Sequence, residues 1–150
     1  VDRAQNLLWR LQNTDWSAQK PKTVVILIGT NNSGQNNTPC EVYWGVRAVV
    51  DEAHEKFPTA KVAVISILPR GPNMLENDAL IRQVNAELVK GQSQGRYQFI
   101  DAHDAFYCNK KTPCSLVRGK SQVHPSGDGY RVLGDIVARS LKASRPRASN

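Results

Sequence analysis

Two runs of branched apolar residues, separated by one amphipathic segment, constrain the fold of this chain most strongly. The runs are Thr23–Gly29 (TVVILIG) and Lys61–Leu68 (KVAVISIL), and each is typical of a strand buried on both faces. Between them, apolar residues recur at helical spacing: Val42, Val46, Val49, Val50, Ala53 and Phe57. A strand, a helix and a second strand in this order predict a right-handed crossover within a parallel sheet.

The start of that helix is predicted by a capping pattern. Thr38 is suited to the cap position, Pro39 to the first helical turn, and Glu41 to a bond back to the cap. Pro58 follows the last apolar residue and ends the helix.

Further helices and a shorter strand extend the alternation in both directions. Leu7, Leu8 and Leu11 in AQNLLWRLQN predict a helix before the first strand, and the segment YQFID predicts the shorter strand. Two more helices are predicted by the apolar spacing of Leu80, Ile81, Val84 and Leu88 before Gly91, and of Tyr130, Leu133, Val137 and Leu141 after a Ser126 cap. The pattern predicts one α/β domain over residues 1–143, with a parallel sheet between two helical layers. Residues 144–150 are predicted to be a basic, disordered tail.

The composition and charge of the chain limit the classes of protein to which it can belong. The 150 residues suit a single domain, and no apolar stretch approaches the about 18 residues needed to span a bilayer. The net charge of +7 comes from scattered lysines and arginines with no nucleic-acid motif, so nucleic-acid binding is not expected. The chain opens on Val1 without a signal-peptide pattern, and its only methionine is Met74, so we expect a segment upstream that is cleaved or left out.

Three cysteines leave the redox environment open. A Cys108–Cys114 disulfide would close the turn-rich segment NKKTP and would suit a secreted protein or another oxidising compartment, whereas reduced thiols fit equally well. Cys40 would then be unpaired. The spacing of cysteines and histidines does not suit a zinc site.

A polar loop follows the first predicted strand. Asn31 and Asn32 come directly after Gly29 and Thr30, at the carboxyl end of a strand, where open α/β sheets bind their ligands. Gly and Asn are also ordinary turn formers. From these residues alone, a binding role and a turn-forming role are both open.

Four ordered segments resemble one enzyme family. NLLWRLQN, VVILIGTNN, ISILPRG and VHPSGDGY together resemble the SGNH hydrolases, also called GDSL esterases, and within them the type of the platelet-activating-factor acetylhydrolase catalytic subunits. The resemblance implies a three-layer α/β/α fold with a flavodoxin-like parallel sheet, which hydrolyses esters and related acyl bonds without a metal or organic cofactor. If this chain is active, the implied substrate is a small acyl ester. It also implies that Asn31 is an oxyanion-hole donor and that His124 is the catalytic histidine.

Those roles agree with the chemistry of acyl transfer. A fixed amide donor stabilises the negative charge that develops on an attacked carbonyl oxygen, and an imidazole can take and return the nucleophile's proton near neutral pH. His54, on the polar side of its helix, and His103, in a loop, are interpreted as non-catalytic.

The resemblance also has two gaps. The Gly-Asp-Ser block that carries the family's nucleophile and the glycine expected before Asp2 do not occur in this chain. Ser121 stands three residues before His124, where the family has aspartate. Asp101 or Asp104 is the candidate to replace that acid, on the sole ground that both are expected to lie near the site. A serine cannot offset the charge of an imidazolium. Ser33, Ser121 and Ser126 lie on the wrong loops to replace the nucleophile.

The missing segment has a structural consequence. The family's first two strands precede this region, so the strand Thr23–Gly29 would be an uncovered edge. We expect it to be covered by an upstream part of the same polypeptide or by another protein chain. The chain is then either part of an esterase, active only when the nucleophile segment is supplied, or a catalytically degenerate fold that serves as a structural subunit.

Overall fold

The computed structural model describes residues 2–71, 74–107, 115–118 and 122–144. Its elements in chain order are α1 (Ala4–Asn13), β1 (Thr23–Ile26), α2 (Thr30–Ser33), α3 (Pro39–Lys56), β2 (Lys61–Ile65), α4 (Asp78–Gly91), β3 (Gln98–Ile100), β4 (Val117–Arg118), β5 (His124–Pro125) and α5 (Gly127–Ala143). Short 3-10 turns follow α4 and precede residue 107. Cys108, Cys114, Ser121 and residues 145–150 lie outside the described residues, so the predictions about the disulfide and the tail stay predictions.

The main sheet is parallel, as the sequence predicts. Its strand order is β1-β2-β3, with Thr23 opposite Lys61 and Ala63 opposite Gln98. β1 is shorter than the predicted Thr23–Gly29, because regular pairing ends at Ile26 and the chain turns at Gly29. Among the described residues β1 lies at the edge of the sheet, which leaves one row of its backbone groups unpaired.

Helices cover both faces of the sheet and confirm the three-layer architecture. Successive side chains of a strand point to opposite faces, so each strand contributes to two cores. The larger core joins β1 and β2, through Ile26, Val62 and Val64, to α1, α3 and α4. The second core joins Ala63 and Ile65 to α5.

The long helix α3 forms where the capping pattern predicts it. Thr38 Oγ1 accepts a hydrogen bond from the Glu41 amide, and the Glu41 carboxylate accepts one from the Thr38 amide. The predicted apolar face is buried along its whole length and packs against α1, α4 and the sheet. Local capping and long-range burial therefore select the same helix.

The apolar face predicted for α5 is only partly right. Leu133 is buried and Val137 and Leu141 pack against the second core, but Tyr130 is 55% exposed. Tyr130 instead lines an open cavity beside β1. In the part of the chain that the structure describes, no helix combines the length and apolar character that a bilayer crossing requires.

Candidate active site at the carboxyl end of the sheet

The loop after β1 is a single helical turn, α2, rather than the irregular loop that the sequence predicts. Gly29 makes the turn possible, because its φ of +111° is in a region that favours glycine. A Cβ at this position would also lie 2.6 Å from the side chain of Ile67. α2 then presents its two asparagines in different directions.

Asn32 has a structural role. It is 6% exposed, its Oδ1 accepts a hydrogen bond from the Ala4 amide at 2.9 Å, and its Nδ2 donates to Gln5 Oε1 at 3.0 Å. The first amides of a helix have no partner within the helix. Asn32 supplies one and so anchors the start of α1 on α2.

Asn31 is half-buried and faces a cavity. Its Nδ2 donates a hydrogen bond to the Asp2 carbonyl at 2.8 Å. An amide nitrogen carries two hydrogens, so a second donor remains for another acceptor. This is the donor that an oxyanion-hole role requires.

His124 is exposed on a small hairpin in front of α5. β5 pairs antiparallel with β4, and His124 lies opposite Arg118. Ser126 holds the hairpin against the helix, because its hydroxyl accepts from the Gly129 amide at 3.1 Å and donates to the Ser115 carbonyl at 2.7 Å. The hairpin lies so close to α5 that a Cβ on Gly129 would lie 2.0 Å from the Leu116 carbonyl oxygen.

Asn31 and His124 line the same cavity of about 530 Å³. Its floor is apolar and includes Leu7, Leu11 and the residues of the β1 edge, while Asp2 and Arg10 add a charged pair at the rim. The hydrogen bond from Arg10 holds the pKa of Asp2 below its ordinary value, so this carboxylate stays ionised. The structure thus brings the two predicted site residues together, although their roles stay predictions.

The alternative residues considered from the sequence are placed elsewhere. Asp101 accepts a hydrogen bond from the His103 amide, and Asp104 lies 3.4 Å from Arg82; both line a separate depression of about 190 Å³. Neither lines the cavity that His124 lines. Of the candidate serines, Ser33 is buried and Ser126 caps α5, and Ser121 lies outside the described residues.

The other two histidines bond to the backbone. His54 Nε2 lies 2.6 Å from the Arg96 carbonyl, and His103 Nδ1 lies 2.8 Å from the Ile67 carbonyl, so these nitrogens carry the proton. Asn85 bonds both the amide and the carbonyl of Ile67, at 2.8 and 3.0 Å. Together, Asn85 and His103 brace the backbone that follows β2.

Arg70 is a residue near the site that sequence reasoning did not single out. Its Nη1 donates to the Thr30 carbonyl at 2.6 Å, and its Nη2 lies 2.8 Å from Glu76 Oε1. Asn77, from the same loop, also bonds to α2, because its Nδ2 donates to the Ser33 carbonyl at 2.8 Å. The only signal in the sequence was that Arg70 belongs to the segment ISILPRG.

The comparisons with known proteins indicate one family. The model of the GDSL-like lipase/acylhydrolase family matches residues 2–132. Platelet-activating factor acetylhydrolase IB subunit alpha1 of Homo sapiens is 42% identical over 109 residues, which are 70% of this chain and 45% of that protein. Subunit alpha2 of Rattus norvegicus is 39% identical over 87 residues, 58% of this chain and 35% of that protein. The chain therefore spans less than half the length of these relatives.

Solved structures share the fold at lower sequence identity. A GDSL-like lipase of Bacteroides thetaiotaomicron superposes with a TM-score of 0.73 at 18% identity, over 96% of this chain and 73% of that one. A lipase/acylhydrolase of Enterococcus faecalis superposes with a TM-score of 0.72 at 20% identity, over 99% and 75%. The α/β/α architecture is thus common to this chain and to both enzymes.

Proposed function

Because this chain belongs to the GDSL-like lipase/acylhydrolase family, we propose that it supplies the oxyanion donor and the histidine of a serine ester hydrolase. The observation that carries the proposal is the cavity lined by both Asn31 and His124. The serine nucleophile comes from a segment outside these 150 residues, and this segment pairs with the edge of β1 that is unpaired among the described residues. Activity therefore belongs to the completed assembly.

The proposed reaction divides the work between two residues. His124 takes the proton of the incoming serine hydroxyl while the serine oxygen bonds to the ester carbonyl carbon. The carbonyl oxygen becomes negative and accepts the free hydrogen of Asn31 Nδ2, a contact worth roughly 3–4 kcal/mol in comparable sites. His124 then returns the proton to the departing alcohol, and water hydrolyses the acyl-serine by the same route.

The edge of β1 is the proposed docking position for the serine-bearing segment. Val25 is 41% exposed there, and the apolar cavity floor runs along the same strand. A strand laid against this edge would satisfy the unpaired backbone groups and cover the apolar residues. Its carboxyl end would then lie beside Asn31 and His124, if it runs parallel to β1.

The proposed substrate class is an ester of a small acyl group. This rests on the relatives, which are named for an acetylhydrolase activity on platelet-activating factor. Short-chain esters are therefore the first compounds to test, with longer acyl chains as the comparison.

A second candidate function is a structural subunit without turnover. One observation favours it: Ser121 stands where the family has an acid. In that case, the assembly would bind a partner along β1 but would release no alcohol from an ester.

The test is ester hydrolysis by the protein purified in its native assembly. We expect short-chain ester turnover that a serine-directed phosphonate abolishes, with the label on a peptide outside residues 1–150. His124→Ala should lower kcat at least about 100-fold, whereas His54→Gln, the matched control, should leave kcat within about twofold. Turnover that survives His124→Ala would contradict the proposed mechanism, and absence of both turnover and labelling would favour the structural subunit.

A further inference from the structure

The carbonyl group of Thr30 accepts hydrogen bonds from two side chains. α2 is only one turn long, and the Ser33 amide donates a backbone hydrogen bond to the Gly29 carbonyl. The Thr30 carbonyl instead accepts from Arg70 Nη1 at 2.6 Å and from Ser33 Oγ at 2.7 Å. Both contacts are partly buried, and together they hold the orientation of the peptide that joins Thr30 to Asn31.

The guanidinium of Arg70 is itself held in place. Its side chain is 13% exposed, and Glu76 pairs with Nη2 at 2.8 Å. The backbone brings the two residues together, because the Glu76 amide donates to the Arg70 carbonyl at 3.1 Å. Gly71, at a φ of +84°, leaves room for this turn, since a Cβ there would lie 2.5 Å from the Cβ of Glu76.

Close packing leaves the guanidinium little freedom on the side of α2. A Cβ on Gly34 would lie 2.5 Å from Arg70 Nη1 and 2.9 Å from its Cζ. The planar group thus lies directly against the end of α2. Arginine suits such a position better than lysine, because its fixed fork can bond a carbonyl and a carboxylate at once.

We propose that Arg70 is the positioning residue for Asn31 in ester hydrolysis. Through the Thr30 carbonyl it fixes the peptide next to Asn31, and Glu76 fixes Arg70. This inference rests on the proposed function of the same site. It adds that the loop after β2 sets the alignment of the oxyanion donor, although Arg70 itself touches no substrate.

The mechanism predicts a kinetic signature that general destabilisation would not give. An oxyanion donor acts in the transition state, so its misplacement lowers kcat and leaves substrate binding nearly unchanged. A displacement of about 1 Å can cost roughly 10- to 100-fold in rate. Loss of Arg70 should therefore lower kcat by about that factor with KM within about twofold.

The experiment compares Arg70→Met, Arg70→Lys and Arg96→Met in the native assembly. Arg96 pairs with Asp51 on the surface and serves as the matched control for loss of an arginine. Each variant is assayed for kcat and KM on a short-chain ester. The side-chain amide signals of Asn31 are followed in parallel by ¹H–¹⁵N NMR, with Asn31→Asp to assign them.

The two readouts separate the possible outcomes. We expect Arg70→Met to lower kcat and shift the Asn31 amide signals, Arg70→Lys to recover part of both, and Arg96→Met to change neither. If the assembly hydrolyses no ester, the proposed function is wrong, but the shift of the Asn31 signals still tests whether Arg70 positions Asn31. Unchanged Asn31 signals together with unchanged kcat in Arg70→Met would overturn the inference.

A milder variant guards against a folding defect. If Arg70→Met does not fold, Glu76→Gln keeps the Arg70 bond to Thr30 and removes only the ion pair. It should lower kcat about two- to tenfold and shift the same signals in the same direction. Wild-type signals and kcat in Glu76→Gln, with Arg70→Met unfolded, would count against a positioning role.

Discussion

Replacing each of the two neighbouring asparagines of α2 by alanine tests how they divide structure and chemistry. In Asn32→Ala the Ala4 amide loses its acceptor, and Ala4 is only 2% exposed, so water cannot easily replace it. An unsatisfied buried amide costs about 1–3 kcal/mol, and the lost contact with exposed Gln5 adds a smaller amount. We expect Asn32→Ala to lower the free energy of unfolding by about 2–3 kcal/mol.

Asn31→Ala should behave in the opposite way. The Asp2 carbonyl lies in a half-buried position beside an open cavity, so water can replace the lost donor. We expect a stability loss below about 1 kcal/mol, whereas the proposed oxyanion role predicts a fall in kcat of about 100- to 1,000-fold.

Urea unfolding followed by far-ultraviolet circular dichroism measures the stability difference. With a slope of about 2 kcal/mol per molar urea, Asn32→Ala should lower the midpoint by about 1–1.5 M and Asn31→Ala by less than about 0.5 M. The assignment would be refuted if Asn31→Ala were the more destabilising variant, or if the two variants lowered kcat equally at full folding.

Three further predictions concern the scaffold. Gly129→Ala should cost at least about 1–3 kcal/mol in thermal unfolding because its Cβ meets a backbone carbonyl, whereas Gly134→Ala, which has open space, should gain about 0.5–1 kcal/mol. Hydrogen bonds from Thr38 hold the pKa of Glu41 below 4.5, so its stabilisation is present above pH 4.5 and is lost as the pH falls through the lowered value; Glu41→Gln should flatten the acid decline of the melting temperature. Burial raises the pKa of Tyr97 to about 12, so an absorbance titration of Tyr97→Phe should lose only the phenol that ionises at the highest pH. The stabilisation by Tyr97 should be lost as the pH rises above about 10, the ordinary pKa of a tyrosine.

The elements that the sequence predicts well are those with local causes. The capping residues of α3 lie within four positions of one another, and its apolar face follows from helical spacing alone. β2 is buried on both faces, so its composition is enough to identify it. The family resemblance then extended this prediction to the architecture, which the structure and the comparisons confirm.

The features that the sequence did not reveal depend on contacts between distant residues. Asn31 and Asn32 are identical in type and adjacent, and only the packing of α1 on α2 gives them different partners. Arg70 bonds Thr30 across 40 positions, which no periodicity can indicate. Tyr130 likewise lies at the cavity beside β1 instead of in the second core, which the spacing within α5 does not indicate.

The second core determines how the site responds to partial unfolding. On that face of the sheet α5 is the only long helix in the described residues, and Leu133 is its one buried large apolar side chain. Val137 and Leu141 pack against this core but are only partly buried, and a layer with one buried large apolar side chain from its helix is expected to open before the rest of the molecule. The hairpin with His124 is bonded to the first turn of α5. Opening of α5 would therefore displace His124 from the cavity, while Asn31 would stay in place on α2. Amide hydrogen exchange in α5 should therefore be faster than in α3, and mild denaturant should abolish the proposed ester hydrolysis before it melts the sheet.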